Sequence, residues 1–215
     1  MEITYLGHSS FKLRGKTVTV VTDPYDGGLV GLKFPKHTSA DIVTVSHDHN
    51  DHNALTSVEG SPFVVGGPGE YDVKGVGIVG IGVFHDEVRG AKRGKNTIYR
   101  IELDAIRIVH LGDLGHTLTS DQVDGLDGVD ILLIPVGGIY TIDAKVAAEV
   151  VTAIEPSIVI PMHYNREGLD QKMFGTLAPV STFLKEIGKE GSQAQPKLAI
   201  TKDKLPQELQ VIILQ

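Results

Sequence analysis

Ser46-His47-Asp48-His49-Asn50-Asp51-His52 follows directly on the apolar run Ile42 to Val45. Three histidines and two aspartates stand in the six positions from His47 to His52, a density of ligating side chains that an ordinary solvated loop does not collect. Extended backbone there sends His47 and His49 to the same side, because side chains alternate along a strand. His52 has the opposite parity, so a turn is needed to bring it and Asp51 back to that side. Such a layout suits two neighbouring ions better than one. A helical zinc motif would space its two histidines four apart, and this stretch does not.

Working outward, each further candidate ligand sits just past an apolar, strand-like run. His85 follows Val76 to Phe84, Asp113 follows Ile106 to Leu111, and His163 follows Ile158 to Met162. Ligands delivered from strand ends onto one rim can converge without leaving an unpaired charge buried. His110, three residues before Asp113, competes with His85 for a place in the site. Alternation puts it opposite Leu111 without saying which face is inward. His8 is read either as lining the cleft or as a structural histidine, His116 as a substrate contact or a loop residue, and His37 as surface.

The remaining runs, Thr17 to Thr22, Phe63 to Val65 and Ile131 to Ile134, are β-branched and punctuated by glycine and proline, as strands are. Helices are expected in three places. Thr119 with Gln122 fits a capping box. Val146, Val150, Val151 and Ile154 share a helical face that Pro156 terminates. Val180, Phe183, Leu184 and Ile187 repeat that spacing before Gly188. Strands facing helices imply a layered domain, and no linker divides residues 1–215, so a single domain is expected.

The bulk numbers narrow the function. A net charge of −7 argues against broad nucleic-acid binding, which depends on neutralising phosphates with Lys and Arg. With no cysteine in the chain, disulfides and thiolate ligands are ruled out, so any ion must be held by His, Asp or Glu. The N-terminus lacks a basic segment followed by an apolar run, and no stretch approaches the length of a membrane span. The expectation is a cytoplasmic protein with no membrane partner.

This constellation resembles the metallo-β-lactamase superfamily. The HxHxDH signature stands complete as His47, His49, Asp51 and His52, and the isolated downstream ligands match at His85, Asp113 and His163. Asp23, in Val21-Thr22-Asp23-Pro24, matches an early aspartate that usually supports the site. Tyr5 to Phe11 (YLGHSSF), Gly66 to Tyr71 (GGPGEY) and Ile134 to Asp143 (IPVGGIYTID) are similar to the branch containing ascorbate-6-phosphate lactonase-like proteins and uncharacterised Zn-dependent hydrolases. The resemblance runs from about residue 3 to 165. It implies an α+β fold, a four-layer αββα sandwich of two mixed β-sheets with helices outside. It places His47, His49 and His85 on a first metal, Asp51, His52 and His163 on a second, and Asp113 between the two. Flavin-partnered di-iron relatives carry a glutamate where this chain has His49, which sets redox chemistry aside.

The expected chemistry is hydrolysis. Two divalent ions bring about +4, while Asp51, Asp113 and a bridging hydroxide return about −3, so the site is left near +1 and favours an anionic substrate. The bridging hydroxide is the expected nucleophile, with Asp51 and Asp113 the carboxylates that serve catalysis. Zinc is the first choice of ion, and manganese or iron would also suit these ligands. The substrate class is a small ester, lactone or phosphate-containing molecule. The alternative is a metal-dependent nuclease or phosphodiesterase, disfavoured because 215 residues leave little room for a nucleic-acid-binding insertion. Asp48 is a candidate for orienting ligands, alongside Asp23. Glu70, Tyr71, Tyr140 and Tyr164 are candidates for the cleft wall. Arg89, Lys92, Arg93 and Lys95 form either a solvated loop or an anion-attracting patch. The sequence leaves the oligomeric state open; analogy with lactonase-like relatives allows a homo-oligomer.

Overall fold

The computed structural model describes residues 1–215, and in it the β-branched runs form two mixed sheets packed face to face. The first sheet holds β1 (Glu2–Gly7), β2 (Ser10–Arg14), β3 (Thr19–Thr22), β4 (Ile42–Thr44) and β5 (Phe63–Val65), with β13 (Leu198–Ala199) beside β1. The second runs in the order β14 (Gln210–Val211), β11 (Ile158–Met162), β10 (Ile131–Pro135), β9 (Ile106–His110), β8 (Lys95–Leu103), β7 (Val76–Phe84), β6 (Gly69–Val73). A short ribbon pairs β12 (Ala194–Gln195) with β15 (Ile213–Leu214).

Alternation along the strands divides two cores. Ile3, Phe11, Leu13, Val20 and Ile42 of the first sheet meet Ile78, Ile101, Ile106, Ile108, Leu133 and Ile160 of the second. The intervening residues Val109, Leu132, Ile134 and Val159 point the other way, against helices. Fully burying such a side chain contributes roughly 1.5–3 kcal/mol, so a one-residue slip that turned a whole strand over would be prohibitive.

The helical layer is full on one side only. Helix α3 (Ala144–Ile154) buries Ala147, Val150, Val151 and Ile154 against the second sheet, and α5 (Val180–Glu186) adds Phe183 and Leu184. Asp143 caps α3 by accepting from the Val146 amide, and Glu155 ends it in a left-handed conformation (φ 53) before Pro156. The expected capping box opens α2 (Ser120–Gly125), with Thr119 and Gln122 satisfying each other's backbone amides. Over the first sheet, Val21 and Val43 are covered by Val58, Phe34 and other loop residues. The helices nearby, α1 (Gly27–Val30) and α4 (Gln171–Phe174), are single turns whose Val30 and Phe174 pack with Tyr25, Leu169 and Leu177. No helix is long and apolar enough to cross a membrane.

Strand direction places the site. In the first sheet β1, β3 and β4 run the same way, and in the second so do β7, β9 and β11. Their C-terminal ends deliver His8, Asp23, the Ser46–His52 segment, His85, Asp113 and His163 to one rim of the sandwich.

Candidate metal centre

The turns leaving these strands are tight. His8, Asp23 and His163 have φ of 53, 40 and 51, a left-handed conformation that costs a non-glycine residue about 1–3 kcal/mol and that tends to accumulate at functional sites. Local hydrogen bonds hold them there. The His163 amide donates to the His8 carbonyl (2.9 Å), the Tyr5 hydroxyl donates to the same oxygen (2.6 Å), and the Asp23 amide donates to Thr44 (2.9 Å).

Buried Asp23 sets the tautomers of two histidines. Its Oδ1 accepts from the Ser46 amide (2.8 Å), and its Oδ2 accepts from Ser46 Oγ (2.5 Å) and from His52 Nδ1 (2.8 Å). Ser46 Oγ has its one hydrogen committed to Asp23, so it accepts from His47 Nδ1 at 2.9 Å. Both imidazoles then carry hydrogen on Nδ1 and aim Nε2 at the interior. Neither Nε2 has a hydrogen-bond partner, although both are buried. A carboxylate behind a ligating histidine is the usual way of fixing the ring for metal binding.

Three imidazole Nε2 atoms surround Asp113. Its Oδ2 lies 3.3 Å from His52 Nε2, 3.3 Å from His85 Nε2 and 3.4 Å from His163 Nε2, and Asp51 Oδ2 lies 3.6 Å from His52 Nε2. These contacts are longer than the 2.7–3.2 Å of an N–H···O bond. They match the spacing of two ligands sharing one ion, because atoms about 2.0–2.2 Å from a tetrahedral centre stand about 3.3–3.5 Å apart. Asp113 Oδ1 is buried and unpartnered as well. The residues present therefore fit bound cations.

The donor atoms fall into two adjoining groups. His47, His49 and His85 form one, with ring centroids 4.6, 4.7 and 5.2 Å apart and His49 exposed at the mouth. Asp51, His52 and His163 form the other, joined by His8. His8 stands apart chemically: its Nε2 is aligned on Asp51 Oδ2 at 3.1 Å in a true hydrogen bond. Since a carboxylate only accepts, His8 donates there.

Electrostatics agree with a cation deficit. Burial would raise the Asp113 carboxyl, but the imidazoles of His163 and His52 reverse this and hold it well below the usual range. Asp51 is lowered against burial in the same way, chiefly by His52. Burial opposes charge on His52, yet Asp113 and Asp51 override it and raise its pKa well above 6.5. Burial, reinforced by His52, pushes His47 down to about 3, and burial holds His163 at about 4 against the pull of Asp113. Three carboxylates, Asp23, Asp51 and Asp113, thus face one imidazolium. Counting Asp23 changes the expected balance of the loaded site. If two divalent ions and a hydroxide were bound, they and these three carboxylates would sum to about zero, not the +1 anticipated when Asp23 was omitted.

All seven residues of the HxHxDH-based set, His47, His49, Asp51, His52, His85, Asp113 and His163, converge here. His110 does not join them. It faces the inter-sheet core, where its Nε2 donates to Ser9 O (2.8 Å) and its Nδ1 accepts from the Gly112 amide (3.1 Å). Both nitrogens are occupied, which leaves the place beside Asp113 to His85. His116 accepts from the Phe84 amide and contacts Thr117 O, a loop-stabilising role. His37 is exposed and meets Glu59. Asp48 is exposed and accepts from Asn53 Nδ2, so it orients no ligand, contrary to expectation. Tyr164 packs in the core beneath α3 and α5, and Glu70 and Tyr71 lie on β6 away from the ligands, so these three leave the cleft wall. Tyr140 remains in it. Ser46 escaped sequence reasoning, because nothing in its type distinguishes a proton relay from a strand-end serine.

Above the ligands opens a cleft of about 250 Å³, walled by His49, Asp51, His85, Asp113 and His163 together with Arg93, Tyr140, Met173 and Phe174. Of the basic run, Arg93 alone reaches it.

Comparison with known proteins places this geometry in context. A model of the β-lactamase superfamily domain matches residues 2–163. A UPF0173 metal-dependent hydrolase of Thermococcus onnurineus is 31% identical over 193 residues, 77% of this chain and 85% of that protein. Another, from Staphylothermus marinus, is 33% identical over 189 residues, 76% and 83% of the respective chains. Among solved structures, a Thermotoga maritima protein assigned to the Zn-dependent hydrolases of the metallo-β-lactamase superfamily superposes with a TM-score of 0.80 at 37% identity. That match covers 99% of this chain and 97% of the other.

Proposed function

The chain belongs to the metallo-β-lactamase superfamily, among its metal-dependent hydrolases, and from that premise we propose that it cleaves a small ester, lactone or phosphate-containing substrate with a pair of divalent ions. The observation that carries this reading is the ring of three Nε2 atoms at 3.3–3.4 Å around Asp113 Oδ2. In the proposed assignment His47, His49 and His85 would hold one ion and Asp51, His52 and His163 the other, with Asp113 available to both. Zinc suits three imidazoles with a carboxylate, and manganese or iron would also be accepted. Ions bound there supply Lewis acidity and a water activated near neutral pH.

The chain's own residues do the rest. Asp23 and Ser46 keep the Nδ1 protons of His52 and His47 away from the ligand side. His8 holds one oxygen of Asp51, restricting how that carboxylate turns. Met173 and Phe174 give the cleft an apolar wall, the Phe174 ring lying 6.3 Å from that of His163. The Tyr140 hydroxyl donates to Met173 O (2.8 Å), so its ring forms wall while its phenol is already committed.

The test is hydrolysis of a chromogenic panel of esters, lactones, phosphomonoesters and phosphodiesters by protein purified without chelator. Turnover of at least one class is expected, lost on chelation and regained on adding zinc or manganese. Turnover that survives complete metal removal would contradict the reading. Cleavage confined to single-stranded nucleic acid would favour the nuclease alternative.

A further inference from the structure

We propose that Arg93 is the specificity-determining residue of this site, receiving a carboxylate or phosphate group of the substrate at the mouth of the metal cleft. The proposal rests on the hydrolase reading for its reaction, and on separate observations for its chemistry.

Placement comes first. Half-buried Arg93 lines the 250 Å³ cleft together with His85, Asp113 and His163. It also lines a second, larger cleft of about 680 Å³ that adjoins the first across His49. A substrate reacting at the ligands and extending into the larger space would pass its guanidinium. Lys95 stands on the rim of that second cleft, whereas Lys92 is exposed and already paired with Glu87 at 2.6 Å.

The side chain is held before any substrate arrives. One Nη2 hydrogen goes to Ile139 O at 2.9 Å, and the guanidinium lies 5.5 Å from the centroid of the Tyr140 ring. Ile139 is itself unusual, a β-branched residue at φ 61 and 58% exposed, a backbone state that persists only where its surroundings enforce it. The loop carrying Arg93 is tied to the ligand His85 through its neighbour Asp86. Buried Asp86 accepts from the amides of Val88 (2.9 Å), Gly90 (2.7 Å), Lys92 (2.9 Å) and Arg93 itself (2.7 Å). A carboxylate with four amide donors makes this a rigid loop, not a floppy charged one.

The donor count then points to an anion. A guanidinium offers five N–H groups in a planar fork. Arg93 gives one to the protein and has no carboxylate partner. The fork matches the two oxygens of a carboxylate or phosphate. Because the loaded metal site is close to neutral once Asp23 is counted, preference for an anionic substrate has to come from a charge outside the ligand set, and Arg93 is the one in the cleft.

Two measurements on metal-loaded protein test this. Inorganic phosphate is titrated calorimetrically into the wild type and into Arg93→Gln, Arg93→Lys and Lys92→Ala. In parallel, kcat/KM is compared for a neutral nitrophenyl ester and its counterpart bearing a terminal carboxylate. Arg93→Gln is expected to weaken phosphate binding about tenfold or more, with metal content unchanged. It should also collapse the carboxylate preference through KM. Arg93→Lys should restore part of both, since it returns the charge without the fork, and Lys92→Ala should match the wild type. Equal phosphate affinity and an equal ester ratio in Arg93→Gln and wild type would overturn the proposal. The two readings fail separately: if no ester, lactone or phosphoester of the panel is cleaved while phosphate binding still depends on Arg93, the hydrolase reading falls and the anion site stands.

Discussion

At the scale of single residues, proton placement matters more than proximity. His52 would offer Nε2 to an ion only while its Nδ1 hydrogen points at Asp23. Asp23→Asn keeps the shape but can turn an amide N–H toward that nitrogen, which would move the imidazole hydrogen to Nε2, the ligating side. Metal affinity is expected to fall about 10–100-fold, read by competition with a chromophoric chelator, with the far-UV spectrum unchanged. Unaltered affinity would remove Asp23 from the site's support. His8 makes a similar prediction. His8→Gln retains an N–H donor able to reach Asp51, while His8→Ala does not, so Ala should weaken the ion beside Asp51 more than Gln. If both variants bind metal like the wild type, the His8–Asp51 hydrogen bond at 3.1 Å has no part in holding the ligand.

Among elements, the strand ends meet backbone to backbone. A Cβ at Gly115 would stand 2.2 Å from the Asp86 amide nitrogen and 2.3 Å from the His85 carbonyl carbon. One at Gly137 would stand 2.2 Å from the His163 carbonyl oxygen. Neither contact can be relieved by rotating a side chain, so the loops carrying the ligands must part. Gly115→Ala and Gly137→Ala should each destabilise the fold by about 1–3 kcal/mol or more, measured by urea unfolding, and should lower metal affinity as well. Wild-type unfolding curves would show that the rim has slack. Elements with a strong local signal were legible in the sequence. The α2 capping box, the Pro156 stop of α3 and the strands β5, β7 and β11 lie where residue type and period put them. The two-residue strands β12 to β15 were not, because two residues carry no period. The helical covering also came out uneven, since nothing local reveals that loop residues such as Phe34 and Val58 substitute for a helix over the first sheet.

For the molecule as a whole, the convergence of the seven candidate ligands was legible from residue type, chain order and the family resemblance, whereas the supporting contacts were not. His8 and Asp51 are 43 residues apart, and only the fold brings them into hydrogen-bond range. His85 was already favoured over His110 by the family resemblance, but the physical reason, that His110 faces the inter-sheet core with both nitrogens occupied, came only from the fold. Stability should follow the same buried cluster. In metal-free protein His47 and His163 are held at about 3 and about 4, below the ordinary value of 6.5 that they regain on unfolding. Between about pH 6.5 and 4 the unfolded chain therefore binds more protons than the folded one. Folding stability falls as pH drops through that window, by up to about 1.4 kcal/mol per pH unit for each of the two. His52, raised in the folded state, opposes this slope only near pH 6.5, where the unfolded imidazole is still titrating, and adds none well below it. The Tm of chelator-treated protein should decline on acidification from pH 7 to 4.5, and a flat profile would contradict the burial of these imidazoles.

Counting ions per chain bears most directly on the seven-ligand centre. Elemental analysis of protein purified without chelator should give about two divalent ions per chain in the wild type, about one in His163→Ala, and less than one in Asp113→Ala, whose carboxylate touches both groups. A wild type that carries none after exposure to zinc, or an Asp113→Ala variant that keeps both, would contradict it.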